Sequence, residues 1–369
     1  MIGPSRFFFC IFIGISTAFV SIHRLALPFY YPLNTVSEAR KNKLSKLEIF
    51  GQPLVCYDNK NGTIIVHSDI CPHQGASLSK GWVNEMGNLQ CPYHGFEFCS
   101  GMFCKIPNPI LEPRPFRSNT KLAVFPTLER NGMLFLSPVS VENPPLPEPF
   151  FPPEEYDVNF RAVEGSRIVD QNHMTVCENL LDMLHISYVH SFGNSISPLP
   201  YSMKTRNISE TSGRTEFLYQ PRDFTISGKV GRVSKVIVQN EYHLPTNTIT
   251  RVIAGEVIKT VFTRSLPLSK NKTLLLWKVY RNFWVDPYIP EFSAPGDWLM
   301  SYLMKYTVEE DVQMLTNVYP QHREGPLKTK YDVTIKNFRN AVQQCHHQPF
   351  PVPENCTQNF LQAYHDYDI

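Results

Sequence analysis

From about Leu47 to Pro138 the apolar residues come in short β-type runs, such as Leu54-Val55-Cys56-Tyr57 and Thr63-Ile64-Ile65-Val66, broken by Asn61-Gly62 and further Gly turns. Short runs with frequent turn residues predict a small antiparallel β domain. Asn143 to Pro149 and Pro152-Pro153 then form a Pro-rich stretch, which predicts a stiff linker and a domain boundary near residue 150. Beyond it the period changes: Glu178 to His190 reads as a helix with Asn179, Asp182 and His185 on one face, and a second helical stretch runs from about Asp297 to Asn317. At the start, Phe7 to Ile22 is an apolar run behind Arg6 with no acidic residue before Glu38, which reads as a targeting or anchoring segment. It is shorter than the ~20 apolar residues of a membrane span. The expected organisation is α+β, with a targeting or membrane-anchor segment at 1–27, an antiparallel β domain at 28–140, a linker at 141–156, a second, α+β domain at 157–350 and a tail at 351–369.

A chain of 369 residues can bury two separate cores, so this division is physically reasonable. Hydrophobic residues at 42%, charged residues at 18% and a formal net charge of +2 show no basic excess of the kind phosphate backbones select, so nucleic acid is not an expected partner. The 31 Pro against 18 Gly, with 12% aromatics, favour sheet and irregular structure around an aromatic interior. Nine Cys, an odd number scattered over a long chain, suit metal ligands plus buried thiols better than a disulfide framework. Asn61, Asn207, Asn271 and Asn355 stand in glycosylation sequons that matter only in a secretory lumen.

Two loops in the first domain carry chemistry: Cys71-Pro72-His73 and, after 17 intervening residues, Cys91-Pro92-Tyr93-His94. Each turn offers one soft sulfur and one imidazole nitrogen to a shared centre. A structural zinc site is the competing reading, but zinc fingers usually pair Cys with Cys and His with His, whereas here each loop holds one of each. At these residues the chain resembles the Rieske family, matching its loops in Cys71-Pro-His73-Gln-Gly and Cys91-Pro-Tyr-His94-Gly95. The resemblance implies a [2Fe-2S] cluster with one iron held by Cys71 and Cys91 and the other by His73 and His94. Respiratory members carry an extra Cys in each loop, forming a disulfide over the cluster. Gln74, Gly75 and Tyr93 stand there instead, which points to the lower-potential cluster domains of oxygenases. Cys99 and Cys104 lie beyond the ligand set and read as structural thiols.

His185 and His190 are five residues apart, a spacing that a regular helix would splay; a helix end or π-type bulge would bring both imidazoles to one metal. Two imidazoles and a carboxylate form the facial set that leaves open positions on ferrous iron, although a His pair near a helix end is also an ordinary surface or core feature. Downstream of a Rieske-like domain, Asn179, Asp182, His185 and His190 resemble the Asn-x-x-Asp-x-x-His-x-x-x-x-His signature of Rieske non-heme iron oxygenases. That resemblance implies a helix-grip-like catalytic domain, a mononuclear Fe(II) and dioxygen as co-substrate. Its third ligand would come from Glu309-Glu310-Asp311, with Asp311 chosen and Glu310 in reserve; a solvated helix face is the plain alternative. It further implies that Asp182 bridges His185 to His94 of a neighbouring subunit, in a homotrimer. Electrons must come from a ferredoxin or reductase, since no Gly-rich nucleotide fingerprint accompanies a βαβ pattern.

Lys328 to Asn340 resembles the late helix of the chlorophyll-type branch, which includes pheophorbide a oxygenase and chlorophyllide a oxygenase. The usual C-terminal Cys-x-x-Cys and apolar anchor of plant members are missing, with Cys345 and Cys356 far apart and a polar tail from Phe360 to Ile369. Ser16-Thr17-Ala18-Phe19 resembles the signal-to-transit junction of plastid proteins in algae with complex plastids, which implies a plastid location; an uncleaved membrane anchor is the alternative. The expected substrate is a hydrophobic small molecule, a tetrapyrrole by preference. A sterol oxygenase or desaturase, an aromatic O-demethylase and a plain electron carrier remain as rivals.

Overall fold

The computed structural model of the protein describes residues 26–27, 29–41, 44–105, 122, 124–137, 146–222, 233–285, 293–319 and 322–347. The apolar run Phe7 to Ile22, the tail 351–369 and residues 138–145 of the linker region lie outside the described residues. No helix among the described residues is long and apolar enough to cross a membrane.

Among the described residues the first domain is antiparallel sheet with one short α-helix and a 3-10 turn at Leu78–Lys80. Its strands are β1 (Tyr31–Thr35), β2 (Ser45–Ile49), β3 (Gln52–Asp58), β4 (Ile64–Ser68), β5 (Trp82–Val83), β6 (Leu89–Gln90), β7 (Glu97–Cys99), β8 (Met102–Lys105), β9 (Val124–Phe125), β10 (Thr127–Arg130) and β11 (Met133–Leu136), with α1 (Val36–Lys41) after β1. They form sheets ordered β1-β11-β10, β2-β3-β4-β9 and β5-β6-β7-β8. Alternation along β3 sends Leu54 and Cys56 into one core with Ile64 and Val66, and Val55 and Tyr57 into another with Cys71, Cys91 and Phe98. The second core supports the two Cys/His loops.

The second domain is one seven-stranded antiparallel sheet, ordered β12-β18-β17-β16-β15-β14-β13. Its strands are β12 (Arg161–Val169), β13 (Met203–Ser209), β14 (Ser212–Tyr219), β15 (Val236–His243), β16 (Asn247–Ala254), β17 (Val257–Ser269) and β18 (Lys272–Arg281). The helices are α2 (His173–Leu181), α3 (Ile186–Val189), α4 (Ala294–Leu315) and α5 (Val333–His347). Helix α4 lays Met304, Val308 and Val312 on Leu275, Trp277 and Val279 of β18. Helix α5 packs Phe338 and Val342 against α2 and Tyr242, and Arg339 clamps Glu178 of α2 at 2.6 and 2.7 Å. The helices thus grip one face of the sheet.

The opposite face of that sheet meets the first domain. The β2–β3 turn docks through Phe50 and Gly51 amides, which donate to the carbonyls of Pro267 and Leu268 at 2.8 and 2.6 Å. Gly51 adopts φ +72°, a conformation that favours glycine. A cavity of about 680 Å³ lies at this junction, lined by Met133 of the first domain and by Phe262, Arg264, Leu276, Lys278 and Tyr280 of the sheet. The linker's end is pinned to the same face, with Glu154 bonded to Arg251 and Glu155 to Lys278.

Candidate metal centres

The two cluster loops close in the same way. Gly75 N–H donates to the Cys71 carbonyl (2.9 Å) and Gly95 N–H to that of Cys91 (3.0 Å), while Cys71 and Cys91 amides donate to Ala76 and Phe96 carbonyls, each at 2.9 Å. Both glycines take positive φ, +74° and +73°, which is why Gly follows each ligand turn. The cysteines are buried and the histidines exposed. His73 and His94 turn their Nδ1 atoms toward one another at 3.2 Å. Burial pushes the Cys71 thiol up, with Cys91 beside it adding to the rise and the backbone amides of His73 and Gln74 opposing it. Two thiols inside, two imidazole nitrogens outside and amides aimed at sulfur fit a cluster with one iron per ligand type.

Cys99 and Cys104 are not the free thiols their sequence position suggests; they form a disulfide. The β7–β8 register explains it, because Phe98 pairs with Phe103 and Glu97 with Lys105, leaving Cys104 as the bulged residue. The bridge closes this hairpin and does not span the cluster loops.

At the second site the helix expected over 178–190 breaks. Helix α2 ends at Leu181, and Asp182 leaves helical geometry with ψ 129°. Its carboxylate accepts from the amides of Leu184 (2.7 Å) and His185 (3.4 Å), competition that a short Asp side chain wins against the helix ladder. The four-residue α3 then runs between His185 and His190, and their Nε2 atoms come within 3.2 Å. Asp311 Oδ1 of α4 lies 3.5 Å from His185 Nε2 and 3.6 Å from His190 Nε2. Donors about 2.1 Å from a first-row ion and about 90° apart sit about 3 Å from each other, so this triangle fits one face of an octahedral ion.

Each imidazole is held from behind, and Asp311 at its Oδ1 itself. His185 Nδ1 donates to the Asp182 carbonyl oxygen (2.8 Å), His190 Nδ1 to Glu310 Oε2 (3.0 Å), and Asn179 Nδ2 to Asp311 Oδ1 (2.9 Å). With Nδ1 protonated, both rings turn an Nε2 lone pair toward the shared point. Burial opposes charge at all three, but His185, His190 and Asn179 hold the Asp311 carboxyl below its usual range. Burial favours a neutral His185 ring, yet Asp311 and Asp182 outweigh it and raise its pKa. For His190, burial and the His185 charge prevail over Asp311 and lower it. Glu310, the reserve ligand, thus orients His190 and also accepts from the Ser191 amide at 3.0 Å. The family resemblance chose Asp311 with Glu310 in reserve; in the structure both face the histidines, Asp311 toward the two Nε2 atoms and Glu310 toward His190 Nδ1. Glu310→Gln should weaken iron retention by about 10- to 100-fold, read by competition with a chelator, because an orienting carboxylate is lost while all three donors stay.

Comparisons with known proteins identify the families of the two domains. Residues 29–115 match the Rieske [2Fe-2S] domain and residues 169–348 the vanillate O-demethylase oxygenase C-terminal domain. The chain belongs to the Rieske oxygenases. It is 31% identical over 288 residues to a chloroplastic pheophorbide a oxygenase of Oryza sativa subsp. japonica, covering 72% of this chain and 50% of the relative. It is 28% identical over 326 residues to the chloroplastic chlorophyllide a oxygenase of Arabidopsis thaliana, covering 86% and 58%. The chain therefore spans less than two thirds of either relative. Its fold resembles the crystal structure of dicamba monooxygenase bound to dicamba, with a TM-score of 0.71, 20% identity and coverage of 87% and 98%.

Proposed function

We propose that the protein is the catalytic component of a Rieske oxygenase that uses dioxygen and externally supplied electrons to oxygenate a hydrophobic ring compound, a chlorophyll-type tetrapyrrole by preference. The donor triangle of His185, His190 and Asp311 carries this reading, because a plain electron carrier has no use for a second, buried three-donor site. The cluster would supply single electrons, and the iron a redox centre with open positions for dioxygen. In balance, dioxygen, two electrons and two protons put one oxygen atom into the substrate and leave the other as water.

The chain's own residues prepare that chemistry. Asp182, Glu310 and Asn179 fix the three donors, and the apolar clusters around Met183 and Val308 exclude water beside them. His73 and His94, at the exposed end of their loops, present imidazoles to whatever docks there. Asp182 holds the His185 ring through its carbonyl and spends Oδ1 on the Leu184 and His185 amides, so Oδ2 is the atom that would reach His94 of a neighbouring chain in a homotrimer. Asp182→Ala keeps the carbonyl that holds the His185 ring, and in protein loaded to about three irons per chain it should slow reoxidation of the reduced cluster by about 100-fold or more in single-turnover mixing, the size of effect expected when an electron-transfer contact is lost. Wild-type rates would sink the bridge.

A ferredoxin or reductase would deliver the electrons. A plastid location is supported by the chloroplastic relatives, while membrane association would depend on the apolar run at Phe7 to Ile22. Similarity to the dicamba O-demethylase oxygenase component of Stenotrophomonas maltophilia, 37% identical over 146 residues, supports a second reading, demethylation of a small aromatic ether. The test is metal analysis with oxygen uptake. About three irons and two sulfides per chain, with uptake that rises on adding a chlorin or a methoxyarene, support the oxygenase. About two irons per chain and no substrate-linked uptake leave an electron carrier.

A further inference from the structure

The helix-covered face of the sheet carries a cation, Lys259, with no counter-ion among the described residues. Cross-strand register aligns Met203, Phe217, Val238 and Val252 with Lys259, and Lys259 with Arg281 and Arg161, in one row. Directly paired residues share a face. Arg281 and Arg161 identify that face, since both reach Asp297 at the start of α4, at 2.7 and 2.6 Å.

Along β17 the neighbours of Lys259 on this face are Val257 and Val261. Val257 joins the apolar cluster of Met183, Ile186 and Phe217, and Val261 that of Val308 and Val312. Lys259 therefore sits between the two clusters that support the iron donors. Its Nζ lies 6.0 Å from the centre of the Phe192 ring, and Phe192 stacks on His190 at 4.9 Å with 14° between planes.

This is an expensive place for an ammonium. Lys259 is only partly exposed, and its cross-strand partner Arg281 is itself a cation whose charge Asp297 takes. Among the described residues no carboxylate pairs with Lys259, and burial lowers its pKa from the ordinary 10.5. Unpaired charge in such surroundings costs folding free energy unless another molecule supplies the opposite charge. The immediate neighbours of Lys259 on this face, Val257 and Val261 along the strand and Val252 across from it, are apolar, as a ring compound needs.

We propose that Lys259 anchors the substrate by its carboxylate, so that the compound oxidised at the iron site is a hydrophobic ring acid and not a neutral sterol or ester. This rests on the oxygenase reading and narrows it. Wild type, Lys259→Met and Lys259→Arg would be titrated anaerobically, by fluorescence quenching, with two matched pairs: a chlorin propionic acid and its methyl ester, and a methoxybenzoic acid and its methyl ester. The expected result is that wild type binds the acid of at least one pair about tenfold or more tighter than its ester, the scale of one charge-assisted hydrogen bond. Lys259→Met brings acid and ester within about twofold by weakening the acid alone, and Lys259→Arg keeps most of the preference. Equal binding of acid and ester by wild type, no binding of either pair, or a preference that survives in Lys259→Met would overturn the anchor. Failure of the oxygenase reading shows elsewhere, as a missing third iron or absent substrate-linked oxygen uptake.

Discussion

Asp311→Ala should lower the iron content from about three atoms per chain to about two, the two that remain being those of the cluster. Removing this carboxylate takes away one of three donors and leaves His185 and His190 as a two-point site open to solvent. Substrate-linked oxygen uptake should fall by about 10³-fold or more, which corresponds to at least ~4 kcal/mol of lost transition-state stabilisation. The electron resonance signal of the reduced cluster should persist unchanged, because its ligands lie in the other domain. Retention of the third iron in Asp311→Ala would remove this residue from the ligand set. Parallel loss of the cluster signal would mean that the substitution unfolds the chain and does not empty one site.

The largest expected effect on stability lies on the other face of the sheet. Arg251 is buried and bonds Glu154 through Nε (2.5 Å) and Nη2 (3.2 Å) and Glu241 through Nη1. Thr260 adds a 2.8 Å bond to Glu154, and Arg214 reaches Glu241 at 2.6 Å. Burial pushes both carboxyl groups up, but Arg251 and their other partners overcome it and hold both below the ordinary 4.5. Arg251→Leu would leave Glu154 buried with a hydroxyl as its main partner, a change that costs about 3–5 kcal/mol in comparable buried pairs.

The pH dependence of that loss has a definite sign. A carboxyl with a depressed folded-state pKa contributes stability that is complete above its unfolded value and fades as pH falls through the folded one. In the variant the same group, deprived of its cation, is driven upward by burial, so acid relieves it. The gap between wild type and Arg251→Leu should be widest near pH 7 and narrow as the pH falls toward 4.5 and below. Urea midpoints at pH 7 and pH 5 would show it, and a gap independent of pH would mean that packing, not charge, is what Arg251 contributes.

Glu154 was legible only as the end of a Pro-rich linker, yet it is the residue that pins this linker to the catalytic sheet. Nothing in the local pattern of Pro152-Pro153-Glu154 announces Arg251, which lies 97 residues away. The same limit applied to Asn179. Its spacing placed it on a face with Asp182 and His185, but its bond to Asp311 spans 132 residues.

The sequence by itself determined the cluster loops, since each Cys-Pro turn with its His and its positive-φ Gly is a local unit whose chemistry lies within a few residues. It also determined the order of a β domain, a Pro-rich break and a helix-bearing domain, because strand runs, Pro clusters and helical periods are local signals. It brought His185 and His190 into suspicion through a spacing that a straight helix cannot use. Tertiary structure decided what depends on distant segments meeting. The Asp182 carboxylate capped the break that turned the two rings together. Packing of α4 on β18 turned Asp311 toward the two Nε2 atoms and Glu310 toward His190 Nδ1, and a bulge in β8 turned two apparent thiols into a disulfide. Sheet register placed Lys259 on the iron side among apolar neighbours. A lone lysine in a strand carries no such meaning until the rows on either side of it are known.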